Sequence, residues 1–387
     1  MKLLIVNTLY HPYKVGGAEI SVQALAENLK KRGATVAILT LGEFEGKEEV
    51  NGITVWRLKI ENVFWPFSDA KQSTLNKVKW HFNDVYNKRY DAKVTTVLNS
   101  FKPHVMFTNN LGGFSVRLWD LAKFNNVKVV HTIRDYYLQC PKTTKFNGDH
   151  NCVQLCTSCK LYASKKKKAS AGIDYVVGIS QYVLQDHLEK GYFPQVKKKV
   201  IYNGFNFNYQ AEDFKLMDSN EVVFGYIGQI NKEKGVEFML ESFSKVKHDN
   251  WRLVIAGKVD PDYLQVLKTI NKSVKIEYLG YTSSSEFYKK MDVLIVPSLW
   301  HEPFGRVVLE GIISNKMVIS SKNGGIKEIM SQNPELTFNT HNDELTRLID
   351  RIIINKHELS FSNNKEFMEK FNLENTALEY YNLFSEI

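Results

Sequence analysis

The chain has 387 residues, 43% hydrophobic and 24% charged, which supplies two cores and excludes disordered, collagenous and coiled-coil classes. Its formal net charge is +9, but the excess is scattered lysine, whereas base readers lean on arginine. Nucleic acid is therefore not an expected partner, and a peripheral attraction to anionic lipid competes with ordinary solvated faces. No apolar run approaches the roughly 18 residues of a membrane-spanning helix. The apolar start stops at Asn7, too early for a secretory h-region, and reads as a buried strand.

In chain order, a strand from Lys2 to Asn7 leads through Gly16-Gly17 into a helix where Ile20, Ala24, Leu25 and Leu29 recur at helical spacing. A strand from Thr35 to Thr40 follows. The segment Lys77 to Asn99, with Trp80, Phe82, Val85, Tyr86 and Tyr90, reads as a basic aromatic helix that either packs in the core or meets an acceptor or membrane. Strands at Val105 to Thr108, Lys128 to Thr132 and Tyr175 to Ile179 each precede a helical stretch. The periodicity pauses from Asn203 to Asn220 and then restarts with a strand at Val222 to Gly228, a loop with Lys234-Gly235 and a helix to Lys247. Strands at Trp251 to Ala256, Ile276 to Leu279 and Val293 to Val296 follow, with a helix from about Phe304. A final helix, Leu373 to Ile387, has Ala377, Tyr380 and Leu383 on one side. The class is α/β: two doubly wound, Rossmann-like parallel sheets facing a cleft, over residues 1–205 and 206–372, with helix 373–387 packing back on the first.

All four cysteines fall in one stretch, spaced C-x11-C-x3-C-x2-C: Cys140, Cys152, Cys156 and Cys159. That is no framework for a whole extracellular chain, and a cytoplasmic setting is expected. The spacing permits a structural four-thiolate zinc site, with free buried thiols and a redox pair as the alternatives.

Neither half has GxGxxG after its first strand, and no GxxxxGK[ST] occurs, which argues against dinucleotide enzymes and phosphate-loop NTPases. Both first loops still place glycine at a helix start, where free N–H groups favour a phosphate. The run from His301 to Glu310 is more informative. With Pro303 in a first helical turn, Glu302 and Glu310 would lie eight residues apart on the same side of the helix, within reach of one polyhydroxylated ligand. Asp260-Pro261-Asp262 looks like a metal-holding DxD but reads as a helix cap.

The Gly16-Gly17-Ala18-Glu19 loop, Thr132-Ile133-Arg134-Asp135-Tyr136-Tyr137 through Cys140-Pro141, Gly178-Ile179-Ser180, Tyr202-Asn203-Gly204, Gly228 through Lys234-Gly235, and the paired glutamates followed by Gly324-Gly325-Ile326-Lys327-Glu328 occur in one order over nearly the whole chain. In this the sequence resembles the retaining GT-B glycosyltransferases of family 4. The resemblance implies an acceptor-side first domain and a nucleotide-sugar-binding second domain. It also implies that Gly17 approaches the donor phosphates, Lys234 neutralises the diphosphate, Glu302 holds sugar hydroxyls with backbone help from Phe304 and Gly305, and Glu310 holds the ribose. Two departures stand out: Gln229 where a basic residue is usual, and Arg134 where many members have histidine. Arg134 either replaces the missing charge or faces the sugar or acceptor. The expected activity is metal-independent transfer of a sugar from a UDP- or GDP-sugar to a glycan or lipid-linked acceptor, in the cytoplasm or at the inner membrane face. An epimerase or phosphorylase on the same fold, and a catalytically silent sugar-nucleotide sensor, are the alternatives.

Overall fold

The computed structural model describes residues 1–68, 70–207, 221–355, 361 and 365–387, so most of the interruption expected from Asn203 to Asn220 lies outside the described residues. By its contacts the chain divides into unit 1 (Met1–Lys145, Cys152–Asn206, Glu369–Ile387) and unit 2 (Phe146–Asn151, Phe207–Met368).

Unit 1 is built on eight strands: β1 (Lys2–Val6), β2 (Thr35–Gly42), β3 (Gly46–Val50), β4 (Ile53–Lys59), β5 (Val105–Thr108), β6 (Lys128–Ile133), β7 (Tyr175–Gly178) and β8 (Lys197–Val200). Their spatial order is β8-β7-β6-β5-β1-β2-β4-β3, parallel except for β3. Leu3, Leu4, Ile5 and Val6 of β1 are wholly buried, as a strand covered on both faces must be. The edges were silent in the sequence because β3 is Gly-Lys-Glu-Glu-Val and β8 is Lys-Lys-Lys-Val, too polar to show a pattern. The β3–β4 turn did carry a signal, Asn51-Gly52, whose φ values of 50° and 70° form a two-residue hairpin loop.

The helices of unit 1 used below are α1 (Gly17–Lys31), α2 (Thr74–Asn83), α3 (Asp91–Phe101), α4 (Arg117–Phe124), α5 (Thr157–Ser170) and α6 (Gln181–Glu189). The single helix expected over Lys77 to Asn99 is broken into α2 and α3, and its aromatic residues do not share one core face. Asp84 ends α2: its buried carboxylate accepts from the Gly113 N–H at 2.6 Å. Asn87 then caps the 3₁₀ turn Lys88–Tyr90. Trp80 and Tyr90 are buried, whereas Phe82 is 68% exposed.

The C-terminal helix Leu373–Ser385 belongs to unit 1. Ala377, Tyr380, Leu383 and Phe384 join Leu3, Ile5 and Phe107 in one cluster, with the Tyr380 and Phe384 rings 5.1 and 5.0 Å from Phe107. The return is stitched at Phe205, whose N–H donates to Phe371 O and whose carbonyl accepts from Leu373 N–H. Gly204 allows it, since a Cβ there would lie 2.6 Å from Leu373 Cα.

Unit 2 carries β9 (Val222–Ile227), β10 (Trp251–Ala256), β11 (Ile276–Gly280), β12 (Val293–Val296), β13 (Met317–Ser321) and β14 (Thr337–Phe338), ordered β11-β10-β9-β12-β13-β14 and all parallel. Its helices include α7 (Val236–Ser244), α8 (Pro261–Ile270), α9 (Arg306–Ile313) and α10 (Glu344–Ile354). The strand order reverses between β9 and β12, so the loops leaving these two strands flank a crevice, the usual ligand position in such sheets. Asp260 caps α8, accepting from the N–H groups of Asp262 and Tyr263, as the sequence indicated.

Candidate active site

The two loops at the switch point of unit 2 are Gly228–Gly235 and Ser298–Gly305, and glycines set their approach. Gly235 has φ 76°, and a Cβ there would lie 2.0 Å from Pro297 O, which only glycine avoids. That contact draws the start of α7 against the end of β12. Asn231 shapes the turn before it, its side chain accepting from Lys234 N–H at 3.2 Å.

Lys234 then points at the second loop. Its ammonium donates to Glu302 Oε1 at 2.6 Å and lies 4.8 Å from the Trp300 ring centroid. The Ser298 hydroxyl donates to the same carboxylate oxygen at 2.8 Å. Glu302 is held through its backbone as well: it bridges Gly324, and its carbonyl accepts from Gly325 N–H at 2.7 Å. Asn323 donates to the carbonyls of Ser298 and Leu299. From the hairpin Phe146–Asn151, Asn151 donates to Leu299 O and accepts from His301 N–H. A cation and a carboxylate thus meet on a loop tied down from three directions.

The helical argument that paired Glu302 with Glu310 does not hold. Pro303 precedes the helix, which starts only at Arg306 because Gly305 takes φ 105°. A Cβ at Gly305 would meet Ile326 Cγ1 at 2.7 Å, so glycine is required there. Glu302 is placed by its bridge to Gly324 rather than by helix periodicity. Glu310 sits within α9 and accepts from Arg306 Nε at 2.7 Å, while burial, with the Glu310 charge next, pushes the Tyr288 hydroxyl well above its ordinary value. Phe304 is buried. Gln229 is exposed, and its carbonyl accepts from the Tyr226 hydroxyl at 2.6 Å.

In unit 1, Gly17 is the first residue of α1, where Glu19 reaches back to accept from Gly16 N–H at 2.9 Å. Arg134 follows β6 and is largely buried; its Nε donates to Asn109 Oδ1 at 2.8 Å and its Nη1 to Asn203 Oδ1 at 2.6 Å. Two side-chain amides thus orient the guanidinium. Ser298, Trp300, Asn109 and Asn151 were missed in the sequence. Ser298 and Trp300 had a signal, their place just beyond a strand end. Asn109 and Asn151 become legible only once the fold brings distant segments together.

Residues 15–209 match the family model described as Glycosyltransferase Family 4, and residues 210–367 the one described as Glycosyl transferases group 1. The chain belongs to this glycosyltransferase family. An uncharacterized 42.6 kDa protein in the cps region of Klebsiella pneumoniae is 34% identical, covering 87% of this chain and 90% of that protein. An uncharacterized glycosyltransferase of Methanocaldococcus jannaschii is 25% identical over 99% of this chain and 98% of its own. Among solved structures, the sucrose-phosphate synthase of Thermosynechococcus elongatus superposes with TM-score 0.76 at 19% identity, covering 100% and 98% of the two chains. Anabaena HepE in complex with UDP and glucose gives 0.72 at 16% identity over the full length of both. These likenesses establish the GT-B fold of this glycosyltransferase.

The cysteines of this glycosyltransferase lie together in unit 1, with Cys159 in contact with Cys156 and Cys140, and with Cys152 within electrostatic reach of Cys140 and Cys156. Cys140 is buried, Cys156 is the exposed N-cap of α5, and Cys159 lies in the first turn. The Ser158 hydroxyl, 3.2 Å from Cys156 Sγ, and the neighbouring Cys159 bring the Cys156 thiol down to about 7, while burial pushes the Cys152 and Cys159 thiols up. Among the described residues no three His, Cys, Asp or Glu side chains are grouped to hold a metal ion.

Proposed function

We propose that the chain is a retaining glycosyltransferase that moves a sugar from a nucleoside-diphosphate sugar, UDP- or GDP-linked, to a glycan or lipid-linked acceptor. The observation that carries the reading is the 2.6 Å pair of Lys234 and Glu302 at the switch point of unit 2. A diphosphate can claim the ammonium while sugar hydroxyls claim the carboxylate, so donor binding exchanges one ion pair for two ligand contacts. Glu310, in the following helix, takes the ribose hydroxyls. Backbone groups of Phe304 and Gly305 assist at the sugar, and the start of α1 at Gly17 lends its N–H groups to the phosphates.

Retention follows from attack on the face the leaving group departs from, with the leaving diphosphate accepting the acceptor's proton and no catalytic metal. The protein's part is positioning and cationic stabilisation of the leaving group. Arg134, oriented by Asn109 and Asn203, acts on the sugar or acceptor. The relative in a Klebsiella cps region supports a place in surface-polysaccharide or glycolipid synthesis; the location proposed with it is the cytoplasm or, peripherally, the inner membrane face. Solved HepE complexes with UDP and with UDP-glucose support the donor class.

The test is a screen of UDP-, GDP- and ADP-sugars with and without acceptor extracts. Acceptor-dependent release of one nucleoside diphosphate is expected. Interconversion of the donor without acceptor would point to an epimerase, and binding without any turnover to a silent sensor; either overturns the proposal.

A further inference from the structure

Helix α2 buries only Trp80 and sends the rest of its side chains towards solvent or partly so. Leu75, Val78 and Phe82 are 81%, 51% and 68% exposed. At about 100° per residue these three fall within roughly 60° of one another on the side away from Trp80, forming an outward apolar stripe. The stretch 70–83 around them contains Lys71, Lys77 and Lys79 and no acidic residue. A helix that exposes apolar side chains among lysines is amphipathic towards something other than its own core.

A second basic helix lies against it. The His81 ring of α2 is 6.0 Å from the Tyr162 ring of α5, and the stretch 150–173 holds Lys160, Lys165, Lys166, Lys167 and Lys168 with no Asp or Glu. Lys166 is turned inward, its ammonium 3.4 Å from the Tyr137 ring centroid and 3.8 Å from Asp84. The other four are exposed, as are Leu161 and Val153. Exposed lysines that do meet carboxylates lie elsewhere, as Lys128 with Asp174, Lys199 with Glu379 and Lys245 with Asp343. The α2–α5 face instead joins positive charge and apolar side chains without an acid in either stretch, which is the complement of an anionic interface with an apolar interior.

We propose that the face formed by α2 and α5 docks unit 1 on an anionic phospholipid bilayer, with Leu75, Val78 and Phe82 entering the headgroup–acyl boundary and the lysines meeting lipid phosphates. The stripe is three turns at most, so the attachment is reversible. It names the surface behind the peripheral location proposed above, yet it needs no sugar transfer and is measured without donor or acceptor.

The full chain is sedimented with vesicles of phosphatidylcholine alone and of phosphatidylcholine with about one third phosphatidylglycerol. Binding to the anionic vesicles alone is expected, weakening as salt is raised. Two surface variants separate the contributions: Leu75→Ser/Val78→Ser/Phe82→Ser and Lys165→Glu/Lys168→Glu. Each should lower the anionic-vesicle partition coefficient about tenfold or more, with circular dichroism and nucleoside-diphosphate affinity as in the parent. Equal binding to both vesicle types, no binding to the anionic ones, or binding that survives both sets of substitutions overturns the proposal. Acceptor-dependent transfer persisting in the vesicle-free variants would leave the proposed function standing whichever way this experiment falls.

Discussion

Replacing Lys234 by alanine removes a cation whose side chain and whose partner Glu302 are 25% and 13% exposed. As a contribution to folding this pair is modest. The variant leaves Glu302 with the Ser298 hydroxyl and its backbone anchors, so a loss of about 1–2 kcal/mol is expected, and thermal unfolding shifts by only a few degrees. As a contribution to ligand binding it is large: a charge-assisted contact to a diphosphate is worth about 1.5–3 kcal/mol, or roughly 10- to 150-fold in affinity at about 1.4 kcal/mol per tenfold. Glu302→Gln acts in the opposite direction on the same measurement. It frees the ammonium from its 2.6 Å carboxylate partner, so the nucleoside diphosphate should bind as well as before or up to about fivefold tighter, while sugar transfer is lost. Isothermal titration with UDP and GDP, beside thermal unfolding, reads both effects. Lys234→Ala that keeps its diphosphate affinity, or Glu302→Gln that loses as much of it as Lys234→Ala, would refute the division of labour between the two residues.

Glu310→Ala should weaken binding of the nucleoside diphosphate about 10- to 100-fold while sparing that of inorganic pyrophosphate, since only the ribose contact is removed; competition binding checks it. Arg134→Ala should lower turnover with nucleotide affinity unchanged and destabilise unit 1 by about 1–3 kcal/mol, because Asn109 and Asn203 lose their donor; unchanged turnover with weakened nucleotide binding would place Arg134 on the phosphates instead. Burial in unit 1 depresses the imidazoles of His131 to about 3 and His187 to about 4, and raises the carboxyls of Asp84 and Asp135 to about 6. Below about pH 6.5 the unfolded chain takes up imidazole protons that the folded unit refuses, which lowers stability, but below about pH 6 the folded unit takes up carboxyl protons that the unfolded chain refuses, which raises it; each pair acts at up to about 2.7 kcal/mol per pH unit, so stability drops slightly from about pH 6.5 to 6 and then levels off. A denaturation midpoint that keeps falling steeply between pH 6 and 5 would count against that balance.

Strands buried on both faces were legible because their apolar runs had nothing else to be: Val105–Thr108, Trp251–Ala256 and Val293–Val296 appear with the ends read from sequence. The exposed edges β3 and β8 were not, since solvent there tolerates any side chain. The same asymmetry governs the site. Glu302, Lys234 and Gly305 announced themselves by type and order, but the sequence placed Glu302 just ahead of a helix begun at Pro303 and paired it with Glu310 by helical spacing, because proline favours a first turn. The backbone of Gly324, which bridges Glu302 from more than twenty positions away, decided otherwise. Nor could periodicity separate an aromatic helix in the core from one at the surface over Lys77 to Asn99, because the buried acid at Asp84 that divides it finds its donor only at Gly113.

The last thirteen-residue helix completes the core that the first strand begins, and this has a bearing on synthesis. A ribosome delivers β1 before unit 2 and Leu373–Ser385 after it. While unit 2 is being made, the Leu3, Ile5 and Phe107 side of unit 1 lacks the Tyr380 and Phe384 rings that will cover it. At about 5–20 residues per second that interval lasts for many seconds. Unit 1 therefore completes its core only after unit 2 has been synthesised, and a nascent chain must be shielded along one apolar face until Leu373–Ser385 arrives.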